Sequence, residues 1–81
     1  DRVIGGYKME KLKIYDVVYT DRKSNLFVTK FEGWDEIDVK EQFDYFNMYE
    51  EYRLLDINFV RYSTIIECAN YLASKGYYDE L

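Results

Sequence analysis

The stretch YRLLDINFVRY, residues 52–62, decides the fold because it is the clearest strand in the chain. Its apolar and polar side chains alternate, with Leu55, Ile57 and Phe59 on one side and Asp56 and Asn58 on the other. This two-residue period predicts a strand that buries one face and exposes the other. The segments before and after residues 52–62 then determine how the strand joins a sheet.

Two further strands are predicted upstream. Residues 11–20 are rich in β-branched and aromatic side chains, and residues 26–32 have the same character. The five residues between them, 21–25, are all polar and include the turn-forming types Asp, Ser and Asn. The pair is therefore predicted to form a β-hairpin, which Gly33 ends.

A helix is predicted near residues 38–49. Asp38 is expected to cap it, because Glu41 follows three residues later with the spacing of a capping box. Its buried face carries apolar residues at i, i+4 and i+7, namely Val39, Phe43 and Phe46.

A second helix is predicted near residues 64–75. Thr64 and Glu67 have the capping-box spacing at its start. Its buried stripe consists of apolar residues three or four positions apart, namely Ile65, Ala69 and Leu72. The order of elements is therefore strand, strand, helix, strand, helix.

This order predicts one α+β domain over residues 1–81. The crossover through the first helix is expected to be right-handed, which makes the second and third strands parallel. The first strand then fits between them, antiparallel to both. The prediction is a small two-layer sandwich, in which helices cover one face of a three-stranded antiparallel sheet. The side chains expected in its core are Leu12 or Val17, Phe43, Phe46, Leu55, Ile57, Phe59, Ile65 and Leu72.

Length and composition indicate a marginally stable domain rich in large side chains. A chain of 81 residues buries only about 60% of its unfolded surface. Ten residues are tyrosine and 48% are hydrophobic, which excludes a disordered chain. Ten tyrosines are more than so small a core needs. Some are therefore predicted at the surface, where tyrosine is a favoured interface residue.

The single cysteine and the chain start bear on location. Cys68 cannot form an internal disulfide, which favours the cytoplasm. No run of about 18 apolar residues predicts a membrane span, and the first residues lack the order of a signal peptide. Met9 resembles a native start, which would make residues 1–8 disordered or vector-derived. Alternatively, the chain is cut from a longer protein.

Motifs for catalysis are missing from the sequence. The chain has no histidine, which removes the commonest general base and the Ser-His and Cys-His pairs. One cysteine cannot build a zinc site, and Asp35, Glu36 and Asp38 lack the loop spacing of a calcium site. We therefore expect no enzymatic activity, no metal and no cofactor.

Charge is divided along the chain, whose formal net charge is −5. Residues 1–31 hold an excess of cations, whereas residues 32–56 hold nine carboxylates and two cations among many aromatic rings. An acidic, aromatic-rich surface on a small domain predicts a protein that binds a basic partner. The alternative interpretation is a solvated surface on which opposite charges pair within the fold.

The preferred functional prediction uses the outer side of the first helix. Five residues are predicted to bind a basic surface of another protein: Asp38, Glu41 and Asp44 through charge, and Tyr45 and Met48 through apolar contact. Carboxylates spaced along a helix can imitate a phosphate backbone, so one form of this prediction is a phage or mobile-element inhibitor that mimics nucleic-acid charge. The strand-strand-helix-strand order is similar to that of small phage inhibitors of uracil-DNA glycosylase, although no motif is shared.

Two alternatives remain open. The surplus of tyrosines also suits a structural or oligomerisation domain of a larger protein, including a homodimer. The basic hairpin, residues 11–30, could instead bind nucleic acid, because Lys11, Lys13, Tyr15 and Tyr19 would share one face of a regular strand. The pI of about 4.6 argues against nucleic acid, because an acidic protein repels phosphates.

Overall fold

The computed structural model describes residues 11–75, so the predictions for residues 1–8 lie outside the described part of the chain. It confirms the predicted α+β fold and order of elements. The elements are β1 (Lys13–Thr20), β2 (Leu26–Gly33), α1 (Glu36–Phe46), β3 (Arg53–Tyr62) and α2 (Ile65–Ser74).

The three strands form one antiparallel sheet in the order β2-β1-β3. Tyr15 of β1 lies between Phe31 of β2 and Phe59 of β3. The pairing of β1 with β3 contains two register shifts, whereas β1 and β2 pair without interruption. The predicted spatial order, with the first strand in the centre, is confirmed.

The hairpin turn between β1 and β2 is organised by Asp21. Its carboxylate accepts hydrogen bonds from the Lys23 and Asn25 amides, both at 2.9 Å, and from the Asn25 side chain at 2.8 Å. The Asn25 side-chain bond is the main reason that the pKa of Asp21 lies below its usual value. Ser24 adopts a φ of 66°, and its N–H donates to the Asp21 carbonyl. The all-polar segment is therefore a tightly bonded turn.

The core lies between the sheet and α1. Tyr15, Val17 and Tyr19 project from β1 towards α1, and Val39 and Phe43 meet them from the helix. All five side chains are buried, and Phe43 is only 1% exposed. Burying a side chain of this size contributes roughly 1.5–3 kcal/mol. This cluster is the main apolar contribution to stability among the described residues.

Tyr19 lies at the centre of an aromatic cluster. Its ring is 5.5 Å from Phe27, 5.3 Å from Phe43 and 4.9 Å from Tyr52, measured between centroids. Its hydroxyl hydrogen-bonds the Thr29 hydroxyl at 2.9 Å, so the buried oxygen has a partner. Part of the tyrosine content therefore builds the core, which the composition alone did not distinguish from surface tyrosine.

Four side chains predicted in the core are exposed instead: Phe46, Leu55, Phe59 and Ile65. On β3, the register shift opposite Val18 and Tyr19 brings Leu54 beside Tyr19, and Leu54 packs against the core in place of Leu55. Phe59 still touches Tyr15 edge-to-face, but β3 is an edge strand and the residue remains 50% exposed. An extra residue in a strand reverses the faces that simple alternation predicts.

The N-cap of the first helix lies three residues earlier than predicted. Asp35 is its N-cap, and the Asp35 carboxylate accepts the Asp38 amide at 2.8 Å. Asp38 is therefore the third residue inside the helix, and the predicted cap at Asp38 is wrong. The physical reason is that Asp35 is also a good N-cap and its side chain reaches the amide three residues ahead.

Gly33 allows α1 to approach the end of β2. A Cβ atom at this position would lie 2.6 Å from Cγ2 of Val39 and 3.0 Å from a carboxylate oxygen of Asp38. Gly33 is the last residue of β2, so its role is to leave room for the helix as well as to end the strand.

The second helix has the predicted capping box at Thr64 and Glu67. Glu67 also forms two hydrogen bonds with the Arg61 guanidinium, at 2.7 and 2.8 Å, which joins the helix start to β3. Further along α2, the buried Tyr71 ring packs edge-to-face on Trp34 at 6.0 Å. The helix is therefore attached near both of its ends.

We expect the Glu67 carboxylate to titrate far below its usual range. The Arg61 guanidinium, followed by the Thr64 amide, holds the pKa of Glu67 at about 2, against an ordinary value of 4.5. Because the folded pKa is the lower one, this interaction stabilises the fold above pH 4.5 and is lost as the pH falls from 4.5 towards 2. An NMR titration of the Glu67 side chain measures this directly. Arg61→Gln should raise the Glu67 pKa towards 4.5, and an unchanged value would contradict the assignment.

Candidate interaction surface

One side of α1 and the turn after it is turned away from the sheet. We call this side the outer face of α1 and define it by five exposed residues: Ile37, Glu41, Asp44, Tyr45 and Met48. The exposed fractions are 72% for Ile37, 77% for Tyr45 and 55% for Met48. Large apolar side chains therefore lie beside carboxylates on a single helical surface.

The position of the outer face follows from the residues that α1 buries. Val39 and Phe43 are four positions apart and enter the core, so residues on the opposite side of the helix point to solvent. Ile37, Glu41, Asp44 and Met48 repeat at intervals of four, three and four residues, which keeps them on that opposite side. The Met48 amide donates to the Tyr45 carbonyl at 3.1 Å, so the turn continues the helical path.

Asp38 does not belong to the outer face. One carboxylate oxygen accepts the Trp34 amide at 2.8 Å and the Tyr71 hydroxyl at 3.1 Å. Asp38 is also half-buried. Its charge therefore connects α1 to Trp34 and to α2, and of the five residues predicted to bind a partner it is the one that points inward.

The two remaining predicted carboxylates differ in their surroundings. Asp44 accepts two hydrogen bonds from the Lys40 ammonium, at 2.8 and 2.7 Å, in an exposed i, i+4 ion pair. Glu41 has no hydrogen bond or ion pair with any residue from 11 to 75. Glu41 is thus the carboxylate of the outer face whose charge is most available to a partner.

Ile37 was not predicted as part of the surface. The sequence prediction began the helix at Asp38, which placed Ile37 before its first turn. With the true N-cap at Asp35, Ile37 lies four residues before Glu41 and joins the outer face. The sequence does contain a sign of this position, because Ile37 is an apolar residue that does not fit the i, i+4 spacing of the buried residues Val39 and Phe43.

The segment after α1 is held in place by Asn47. Its side chain accepts the Tyr52 amide and donates to the Tyr52 carbonyl, both at 3.0 Å. Tyr49 lies between these anchor points and is 92% exposed. Glu51 follows and pairs with Arg22 of the hairpin at 2.7 Å. The apolar surface therefore extends from Met48 to Tyr49 on an ordered turn.

The basic hairpin does not present the aromatic face that nucleic-acid binding would need. Tyr15 and Tyr19 are buried beneath α1. The Lys13 ammonium donates to the Lys11 and Trp34 carbonyls, and Lys30 pairs with Asp16 at 2.8 Å. Two rings of the hairpin are thus buried, and two of its cations already have partners within the domain.

Searches for a metal site and for a membrane-spanning helix among residues 11–75, and for similar proteins, found none. Within residues 11–75, no three His, Cys, Asp or Glu side chains lie close enough to hold a metal ion. None of the helices in that range is long and apolar enough to cross a membrane. Comparison with protein-family models, with curated proteins and with solved structures finds no significant match.

Proposed function

We propose that this domain is a small protein-binding module that uses the outer face of α1 against a basic surface of another protein. The observation that carries the proposal is the exposure of Ile37, Tyr45 and Met48 together beside Glu41. A helix face that lies outside the core and carries three large, mostly exposed apolar side chains is typical of helix-in-groove recognition.

The two kinds of residue have different roles in binding. Tyr45 and Met48 would be buried on association and would set the lifetime of the complex, because buried aromatic anchors dominate binding energy. Glu41 would remain near the rim and raise the association rate with a cationic partner. Ile37 extends the apolar contact by one helical turn.

Mimicry of nucleic-acid charge is the finer form of this proposal. It requires a row of accessible carboxylates, whereas Asp38 points inward and Asp44 is paired with Lys40. The surroundings of these residues favour apolar anchoring with a single acidic contact at Glu41. An inhibitor acting through this face would therefore compete for a protein groove with a cationic rim.

The test begins with capture of a partner from a lysate of the source organism, followed by kinetics with the purified partner. Tyr45→Ala should shorten the lifetime of the complex at a cost of roughly 2 kcal/mol, because an aromatic anchor is lost. Tyr62→Ala, an exposed tyrosine on β3, is the matched control and should leave the lifetime unchanged. Glu41→Gln should slow association and weaken its dependence on salt.

A charge control completes the experiment. Asn58→Lys changes the net charge by the same amount as Glu41→Gln but lies on β3. Equal effects of the two substitutions would mean that only overall charge matters, which contradicts a role for the outer face. A captured partner whose binding survives both Tyr45→Ala and Glu41→Gln would likewise rule the proposal out.

A further inference from the structure

The outward edges of the sheet can be identified from two hydrogen bonds. In an antiparallel strand the N–H and C=O of one residue point to the same side, and the side alternates along the strand. The Leu12 carbonyl accepts the Ser63 amide beside β3. The backbone N–H and C=O groups of Leu12 and of the even-numbered residues after it therefore point towards β3 at this end of β1. The Glu32 carbonyl accepts the Gln42 side chain at 2.7 Å, so the backbone groups of Glu32 point away from β1.

The edge formed by β3 is protected by its own side chains. The Ile57 amide donates to the Asp56 carboxylate at 2.9 Å, and the Tyr62 carbonyl accepts the Arg61 guanidinium at 3.2 Å. The two register shifts add irregularity to the same strand. Bulges and charged side chains are common ways to block addition of a further strand.

The edge formed by β2 is open over most of its length. Alternation from Glu32 places the N–H and C=O of Lys30 and Val28 on the outward side. Among residues 11–75, none bonds to these outward backbone groups. Leu26, Phe27 and Val28 are also exposed, and three successive exposed apolar residues on an edge strand are unusual unless functional.

A groove runs beside this open edge. It consists of two cavities of about 380 and 420 Å³ that share Phe31, Gln42 and Phe46. Phe31 and Phe46 supply an apolar floor, and Tyr71 of α2 lines the far wall of the first cavity. Cavities of this size accommodate a few residues of an extended chain.

The groove carries one cation that is available to a ligand, Lys75. Lys30 and Lys75 line it together with one carboxylate, Glu32, but Lys30 is already paired with Asp16 at 2.8 Å. Lys75 has no ion pair with a carboxylate among residues 11–75, and its ammonium lies 5.3 Å from the centre of the Tyr71 ring. Burial raises the pKa of Glu32, and the nearby Glu67 raises it further, although a hydrogen bond from Ser63 opposes this. An incoming acidic residue is therefore favoured near Lys75.

We propose that the outer edge of β2 is a strand-addition site for an extended peptide segment of a partner protein. The segment pairs with the backbone of Val28 and Lys30, places an apolar side chain over Phe31 and Phe46, and sets a carboxylate near Lys75. Backbone hydrogen bonds would supply affinity, and the cavity would supply specificity. Tyr45 of the outer face also lines the second cavity, whereas Glu41 and Ile37 line neither. The two sites therefore meet at Tyr45, and strand addition at β2 goes beyond binding through the outer face of α1.

The probe is a phage-displayed library of random peptides, selected on the wild-type domain and re-tested by fluorescence polarisation as synthetic peptides. We expect enriched peptides to combine a large apolar residue with a nearby acid. Val28→Pro removes the outward N–H and leaves the pairing with β1 intact, because proline is tolerated on an edge. Val28→Pro should lower the affinity for these peptides about tenfold relative to Val28→Ala, which shortens the side chain but keeps the N–H.

Two further variants keep the result decisive if Val28→Pro folds poorly. Lys75→Glu, at an exposed helix end, should reverse the selection from acidic to basic peptides. Glu41→Gln should leave peptide affinity unchanged, which separates this site from the outer face of α1. The proposal would be overturned by peptides that bind Val28→Pro as tightly as wild type. It would also be overturned if Lys75→Glu selected the same acidic peptides as wild type. Sedimentation showing a dimer that Val28→Pro abolishes would assign the edge to a second copy and overturn it equally.

Discussion

Replacing Phe43 with alanine should lower the free energy of unfolding by about 3–5 kcal/mol, because it deletes a fully buried ring from the centre of the core. Phe43 is 1% exposed, and its ring touches Tyr19, Phe31 and Phe46. A domain of 81 residues has a total stability of roughly 4–12 kcal/mol, so this one change removes a large share of it. Urea denaturation followed by circular dichroism measures the loss.

Phe46→Ala is the matched control for this prediction. Phe46 lies three residues further along α1 and also joins the aromatic cluster, but it remains 43% exposed. Its truncation leaves a smaller cavity and should cost clearly less than Phe43→Ala. Equal losses for the two variants would mean that the core is not centred on Phe43 as described.

Gly33→Ala should destabilise the domain by about 1–3 kcal/mol through overpacking. The new methyl group would lie 2.6 Å from Cγ2 of Val39, a distance that forces α1 away from the end of β2. Backbone strain is not involved, because the φ of Gly33 lies outside the left-handed region. The same denaturation experiment measures the change.

A double-mutant cycle with Val39 tests the cause of that loss. Val39→Ala removes the methyl group that would clash, at the expense of a buried contact. The double variant Gly33→Ala/Val39→Ala should therefore be more stable than the sum of the two single losses predicts. Strictly additive losses would show that the methyl group added at position 33 meets something other than Val39.

The sequence predicted the elements well because each one carries a local signal, which is a clear period in β3 and the helices and a β-branched and aromatic composition in β1 and β2. Alternation identified β3, and the spacing of Val39 and Phe43 identified α1 and its buried side. Right-handed crossover then gave the strand order. These properties are local, or follow from general rules of chain connection, so one sequence was enough to predict them.

Burial on β3 was predicted poorly because it depends on pairing with β1. The register shifts bring Leu54 to the core and leave Leu55 exposed, and nothing within residues 52–62 reveals where a bulge will form. The candidate site has the same limitation. The Lys40–Asp44 pair could be read from its i, i+4 spacing, whereas the hydrogen bond from Tyr71 to Asp38 joins residues 33 positions apart. Tertiary contact decided which carboxylates remained at the surface.

The position of Trp34 gives the domain an internal optical reporter. It is the only tryptophan in the chain, and it lies between the end of β2 and the start of α1 with its ring against Tyr71 of α2. Undocking of α2 would remove Tyr71 from the indole and change the polarity around it. Tryptophan emission therefore reports detachment of α2 without any added label.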